Sequence, residues 1–203
     1  RSVSGTVRIA APEGFALKVL TPRLNAITSM HPDLNLEIVS QTPGFSLSRR
    51  EADVAVMVGK PTEPQLYFES LGIYRLGLYA SRDYVERHGL PERVDQLPRH
   101  RLIGYVEDLL FSERLNVARN VWSSWQSNIA ISSPVGQVAA VKVGLGIGVL
   151  HDFLLDNRDD LLPVFPDLDL SREFFLVWHP NIDRIPRIHT VLDFMRSLRN
   201  AVH

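Results

Sequence analysis

The chain has 203 residues, 45% hydrophobic and 22% charged, enough to bury a sizeable core in one or two domains. Lys and Arg number 22 against 23 Asp and Glu, which lacks the cationic surplus that a chain binding nucleic acid by itself requires. Zero cysteine excludes a disulfide framework, a thiol nucleophile and cysteine-ligated zinc or iron–sulfur centres, and fits a reducing compartment.

No apolar run approaches the roughly 18 residues of a membrane span. The longest candidate, around Val141–Leu155, is broken by glycines and charges. The chain opens on Arg1 rather than Met, so a fragment or processed product is expected, with any signal peptide or N-terminal partner domain outside it.

In chain order, Thr6–Ala10 alternates as a short strand and leads into the turn Ala11-Pro12-Glu13-Gly14. Leu17, Leu20, Leu24 and Ile27 then recur at helical spacing, with a kink expected at Pro22. His31-Pro32-Asp33 ends that helix, Leu36 to Ser40 reads as a strand, and Gln41-Thr42-Pro43-Gly44 has loop chemistry. Ala52–Val58 is almost continuously apolar, as in a strand buried on both faces. Strand, helix, strand, loop and strand in succession predict a parallel α/β arrangement.

The pattern then restarts with a strand at Tyr74–Ala80. Ser81 caps a helix over Arg82–His88 that Gly89 stops. Leu102–Tyr105 and Ile129–Ile131 read as strands. Ser133 as N-cap and Pro134 as first residue open a helix through Val143, which Gly144 ends. Ile147–Leu150 and Phe174–His179 are further strands, and Pro186 starts a last helix with Ile188, Val191, Leu192, Met195 and Leu198 on one face. Two small α/β lobes result, the first ending near Leu71.

The motifs that carry chemistry are weak. The seven histidines form no H-x-H, H-x-x-x-H or H-E-x-x-H, so no metal is expected. Only His151, just after a buried strand, invites a closer look. The carboxylate pairs Glu107/Asp108, Asp159/Asp160 and Asp167/Asp169 sit in loop or cap positions, and no G-x-S-x-G or phosphate loop is present. Gly144-Leu145-Gly146-Ile147-Gly148 has the order helix, glycines, strand, the reverse of a dinucleotide turn, and suits a helix stop with close packing. The basic clusters Arg49-Arg50, Arg99-His100-Arg101 and Arg196 with Arg199 have acidic neighbours and read as solvated faces. Trp122, Trp125 and Phe111 read as packing residues. No cofactor is expected.

What survives is geometric. In α/β lobes, ligands gather at the C-terminal ends of strands beside helix N-termini. Three such places follow: Pro12, Glu13, Gly14 and Phe15 after the first strand; Thr42, Pro43 and Gly44 after the second; and Ser132 with Ser133 before the glycine-ended helix. Lys60, Tyr105 and His151 complete the candidate ligand-binding set. A small molecule caught between two lobes that close about a hinge is the arrangement these positions suggest.

Five segments in register resemble one family. These are Ser4-Gly5-Thr6-Val7-Arg8-Ile9-Ala10, Leu20-x-Pro22-x-Leu24 with His31-Pro32-Asp33-Leu34-Asn35-Leu36, Ala52-Asp53-Val54-Ala55-Val56, the stretch from Leu78 to Gly89, and Gly144-Leu145-Gly146-Ile147-Gly148-Val149-Leu150. Together they resemble the effector-binding (regulatory) domain of LysR-type transcriptional regulators over essentially the whole chain. The resemblance implies two Rossmann-like lobes of the type 2 periplasmic-binding-protein fold joined by a crossover hinge. It places 1–72 and 176–203 in lobe I, 73–175 in lobe II, and a winged helix-turn-helix DNA-binding domain outside this chain.

The resemblance also implies a cytoplasmic bacterial regulator, not an enzyme. A small-molecule effector would bind the inter-lobe cleft, and DNA would be contacted through the missing domain, with no membrane involved. A homodimer is implied, with a tetramer open at full length, in which the Phe15–Met30 helix lies near the partner's Gln137–Val143 helix. Two departures bear on the effector. Leu150-His151 stands where members often have Leu-Pro, and Pro12-Glu13 stands where many have Ser or Thr. A carboxylate at position 13 would repel an anion, so either it points away or the effector is neutral or cationic, whereas Lys60 could reach an acid. The rival readings are a periplasmic solute-binding protein and, further off, a small hydrolase or transferase using His151.

Overall fold

The computed structural model describes residues 3–41, 45–182 and 184–202. The chain divides into two compact units, Arg1–Ile73 with Glu173–His203 and Tyr74–Arg172. Each contains strands with helices packed against them.

Unit 1 begins with β1 (Gly5–Ala11), whose inward residues Val7, Ile9, Ala10 and Ala11 are fully buried. The helical stretch that follows is a composite. One turn of α1 (Glu13–Phe15) runs into a π-helical segment (Ala16–Leu20), a 3-10 turn (Thr21–Arg23) and α2 (Asn25–Thr28). The break falls at Pro22, as a residue without an N–H requires. The wider π turn also changes which side chains face inward. Phe15, Val19, Leu20 and Ile27 are buried, while Leu17, expected on the inner face, is 47% exposed.

β2 (Leu34–Ser40) pairs parallel with β1, and so does β3 (Val54–Val58) on its other side. Val54, Ala55 and Val56 are fully buried, in accord with an apolar run covered on both faces.

β4 (Tyr67–Ser81) is longer than the apolar pattern predicts, because its first half is partly exposed and its second half is core. The unit boundary falls within it.

Unit 2 continues with α3 (Arg82–His88). Its N-cap Ser81 accepts from the Tyr84 N–H at 3.1 Å, and Gly89 (φ +74°) terminates it. β5 (Leu102–Gly104), the short α4 (Ala118–Val121), β6 (Ile129–Ala130) and α5 (Pro134–Lys142) follow, then β7 (Ile147–His151). β5 pairs parallel with β6 and β7, whereas β7 and the unexpected β8 (Leu161–Val164) both pair antiparallel with β4. Pro163 had no strand signal, yet it is tolerated because β8 lies at an edge, off the main strand order.

The glycines of the 144–148 stretch have the two expected jobs. Gly144 has φ +78°, a left-handed helix stop, and a Cβ on Gly146 would run into the Arg101 carbonyl oxygen of the strand's neighbour. Val138, Ala140 and Val141 of α5 pack with Tyr79, Ile103 and Leu150 to form the core of this unit. Trp125 is buried and donates from Nε1 to Ser127 Oγ at 3.2 Å, which agrees with a packing role.

The chain returns through β9 (Leu170–Trp178), which pairs antiparallel with β3. The sheets are therefore mixed rather than parallel throughout, since a strand coming back from unit 2 meets β3 in the opposite direction. α6 (Pro186–Ser197) then closes unit 1 with Ile188, Val191, Leu192 and Met195 inward. Arg196 holds Glu69 through Nη2 at 2.9 Å and lies over the Trp178 ring, so this basic position is paired and half-buried rather than a freely solvated face.

Candidate functional site

In unit 1 the residues after the first strand differ in access. Pro12 caps the helical stretch and its carbonyl accepts from the Ala16 N–H at 2.9 Å. Glu13 is exposed and Gly14 is buried. Phe15 is 1% exposed and meets Phe174 edge-to-face at 5.0 Å, a core contact that accounts for it without a ligand. Lys60 is exposed, with Nζ 6.0 Å from the centre of the Phe68 ring. Thr42, Pro43 and Gly44 lie outside the described residues.

In unit 2 the fold brings two of the four candidates together. Tyr105, just past β5, and His151, the last residue of β7, line one cavity of about 10 Å³ with Gln137, Asn116, Leu76 and Val149. That is about the space of one water centre. Ser133 is spent on its helix, accepting from the Gly136 N–H at 3.0 Å, and Ser132 is exposed.

His151 is the most constrained of the set. Its ring packs against Tyr74 (centroids 5.3 Å apart) and Phe153 (5.6 Å), and its Nδ1 is buried without a hydrogen-bond partner among the described residues. Burial pushes the imidazole pKa down to about 4, so the ring is neutral near pH 7. It offers hydrogen-bonding capacity without charge. A general base needs an orienting partner and a pKa near the working pH, and His151 has neither. The adjacent Asp152 is engaged elsewhere, accepting from Tyr79 Oη at 2.9 Å.

Two residues near His151 escape sequence reasoning. Gln137 is 2% exposed and donates from Nε2 to the Ile131 carbonyl at 2.9 Å. Its one signal is a polar side chain in the otherwise apolar run Val135–Val141. Tyr74 reads in sequence as a strand residue only. In the fold burial pushes its phenol pKa up, Tyr105 adding to the rise and Arg172 opposing it. No group of three or more His, Cys, Asp or Glu able to hold a metal occurs among the described residues, and no helix there is long and apolar enough to cross a membrane.

The comparisons with known proteins bear on the fold and the family. The family model described as "LysR substrate binding domain" matches residues 1–199. The HTH-type transcriptional regulator CrgA of Neisseria meningitidis serogroup C is 25% identical over 205 residues, covering 94% of this chain and 66% of that protein. An uncharacterised HTH-type transcriptional regulator of Haemophilus influenzae is 25% identical over 196 residues, covering 91% of this chain and 66% of that protein. The chain thus spans just under two-thirds of the length of these relatives.

Among solved structures, the regulatory domain of Neisseria meningitidis CrgA superposes with a TM-score of 0.83 at 23% identity, covering 98% of this chain and all of that one. Full-length AphB, a Vibrio cholerae virulence activator, gives 0.80 at 22%, covering 98% of this chain and 70% of that one. These likenesses establish the fold, type 2 periplasmic-binding-protein-like. The family match settles the kinship: this chain belongs to the LysR substrate-binding domain family.

Proposed function

We propose that this chain senses a small molecule on behalf of a cytoplasmic, DNA-binding regulator. The two compact units serve as its regulatory lobes, and DNA is contacted by a helix-turn-helix domain elsewhere in the whole protein. The observation that carries the reading is the family match over residues 1–199, joined to relatives half as long again that are named HTH-type transcriptional regulators. The rival reading, a periplasmic solute-binding protein, has no support among those relatives.

The effector is held by residues at the strand ends, with Tyr105, His151 and Gln137 as the best-formed part. With Phe15 assigned to the core, Pro12, Glu13, Gly14, Lys60, Ser132 and Ser133 are the remaining candidates with a described position. A neutral, desolvated imidazole favours a polar but uncharged group on the part of the effector that meets it. Regulation follows when the effector binds one state of the protein more tightly than another.

A homodimer is part of this reading. Leu17 (47% exposed) and Met30 (68%) lie on and just after the first helical stretch, and Val143 (69%) and Leu145 (38%) follow α5. Large apolar groups standing in water on the two segments assigned to pairing support it.

The test is a thermal-unfolding screen of the chain against small metabolites. A ligand of the folded state stabilises it by about 2.7 kcal/mol at a hundredfold excess over its Kd. A compound whose effect persists unchanged in a Tyr105→Ala, Gln137→Ala double variant would place the site elsewhere.

A further inference from the structure

Unit 2 carries a second depression, about 620 Å³ in volume, that none of the sequence-derived candidates lines. Its polar wall holds Arg114, Arg119 and Arg172 together with Glu107 and Glu113, so the ionised side chains leave one net positive charge. The volume lies within the range of small-molecule sites.

The three arginines are not equivalent. Arg119 is paired, with Nη2 2.8 Å from Glu107 Oε2 and Nε 3.1 Å from Oε1, and Asn116 donates to the same carboxylate at 3.1 Å. These bonds hold the Glu107 carboxyl below its ordinary range. Arg172 is different. Its Nε donates to the Arg114 carbonyl at 2.8 Å, its Nη1 to the Ser171 carbonyl at 2.8 Å and its Nη2 to Asn120 Oδ1 at 2.7 Å.

All three of those acceptors are neutral. They fix the plane of the guanidinium without cancelling its charge, and two of them lie 52 and 58 residues away in sequence. Of the five guanidinium N–H groups, one remains on each terminal nitrogen. A cation oriented in advance by neutral groups, in a concave surface with donors to spare, is what recognition of a planar anion needs. The charge of Arg172 is also felt at the buried phenol of Tyr74, and Asn116 lines both this depression and the small cavity of His151.

We infer that this depression is a binding site for a small organic carboxylate, with Arg172 as its principal cation and Arg114 as a second. One net positive charge matches a monocarboxylate better than a phosphate dianion, and two parallel oxygens suit the two remaining terminal N–H groups. The inference goes beyond the sensor reading and does not depend on it.

The test is a titration of the isotope-labelled chain, followed by NMR at constant ionic strength, with butyrate, phenylacetate and inorganic phosphate as probes. Saturable shifts of the Asn116 and Asn120 side-chain amides are expected with the carboxylates. Arg172→Gln should weaken binding by about tenfold or more, the loss of one charge-assisted hydrogen bond. Glu113→Gln should tighten it. Arg114→Gln, an exposed position, provides a second weakening variant should Arg172→Gln fail to fold. Unchanged affinity in a folded Arg172→Gln or in Arg114→Gln, phosphate binding as tight as either carboxylate, or no saturable shift at all would overturn the site. Because this titration reads anion binding by the chain alone, its failure leaves the regulator reading standing, and the converse holds.

Discussion

The imidazole of His151 lies against the phenol ring of Tyr74, centroids 5.3 Å apart and tilted by 52°, and its Nδ1 has no hydrogen-bond partner among the described residues. An unpaired buried polar atom costs free energy, and a buried neutral base couples folding to pH. Both costs sit at the end of β7, where the candidate site is best formed.

The pH coupling has a definite sign. The folded imidazole has a pKa of about 4, and unfolding returns it to water near its ordinary value of about 6.5. Between those values the unfolded chain binds more protons, so stability falls as pH is lowered through that window and is fully present above it. At the acid limit the loss is about 3 kcal/mol. Urea unfolding of wild type and His151→Phe from pH 7 to 4 should show the two converging or crossing as pH falls, because only wild type pays this cost. A constant difference between them across that range would contradict the burial of His151.

Ser81 tests the local chemistry of unit 2. Its side chain is the acceptor for the Tyr84 N–H, so Ser81→Ala should cost about 1 kcal/mol in chemical denaturation. A loss below about 0.3 kcal/mol would mean that water replaces the cap at this end.

Gly146 tests the close approach of β7 to the backbone beside it. A Cβ there would meet the Arg101 carbonyl oxygen, while Arg101 O also accepts from the Ile147 N–H at 2.9 Å. Gly146→Ala should therefore destabilise by about 2 kcal/mol or more, since a backbone group cannot swing aside as a side chain can. A neutral Tm would show that the strand can shift freely.

The dimer can be tested by charge. Leu17→Asp combined with Val143→Asp should convert a dimer to a monomer in light scattering, with little loss of stability because both side chains already face solvent. A dimer that survives both changes would place the interface on other surfaces.

Local signals explain why much of the fold is legible in the sequence. Ser81 and Gly89, Ser133 and Pro134, and Gly144 mark helix ends through chemistry confined to a few residues, and the helices stop and start there. The apolar run at Ala52–Val58 likewise marks the buried strand β3. The π turn at Ala16–Leu20 was not legible, because the register of a helix interior depends on what it packs against. Neither was β8, whose Pro163 is allowed only by an edge position that the topology sets.

The site divides in the same way. Tyr105 and His151 stand at strand ends, which a strand pattern locates, and the fold brings them to one cavity. Gln137 joins them only through helix packing, and Tyr74 meets the His151 ring from the neighbouring strand. Arg172 acquires its fixed, uncancelled charge from Arg114 and Asn120, far away in sequence, and nothing near position 172 announces it.

The proposed function couples effector binding in this domain to DNA binding by the whole protein. The most direct measurement is the affinity of the full-length regulator for its operator DNA, with and without a compound that stabilises the isolated chain. The account predicts a change of about fivefold or more, in either direction, and the same factor in the compound's affinity when DNA is present. Equal affinities in both states of ligation, at saturating compound, would contradict it.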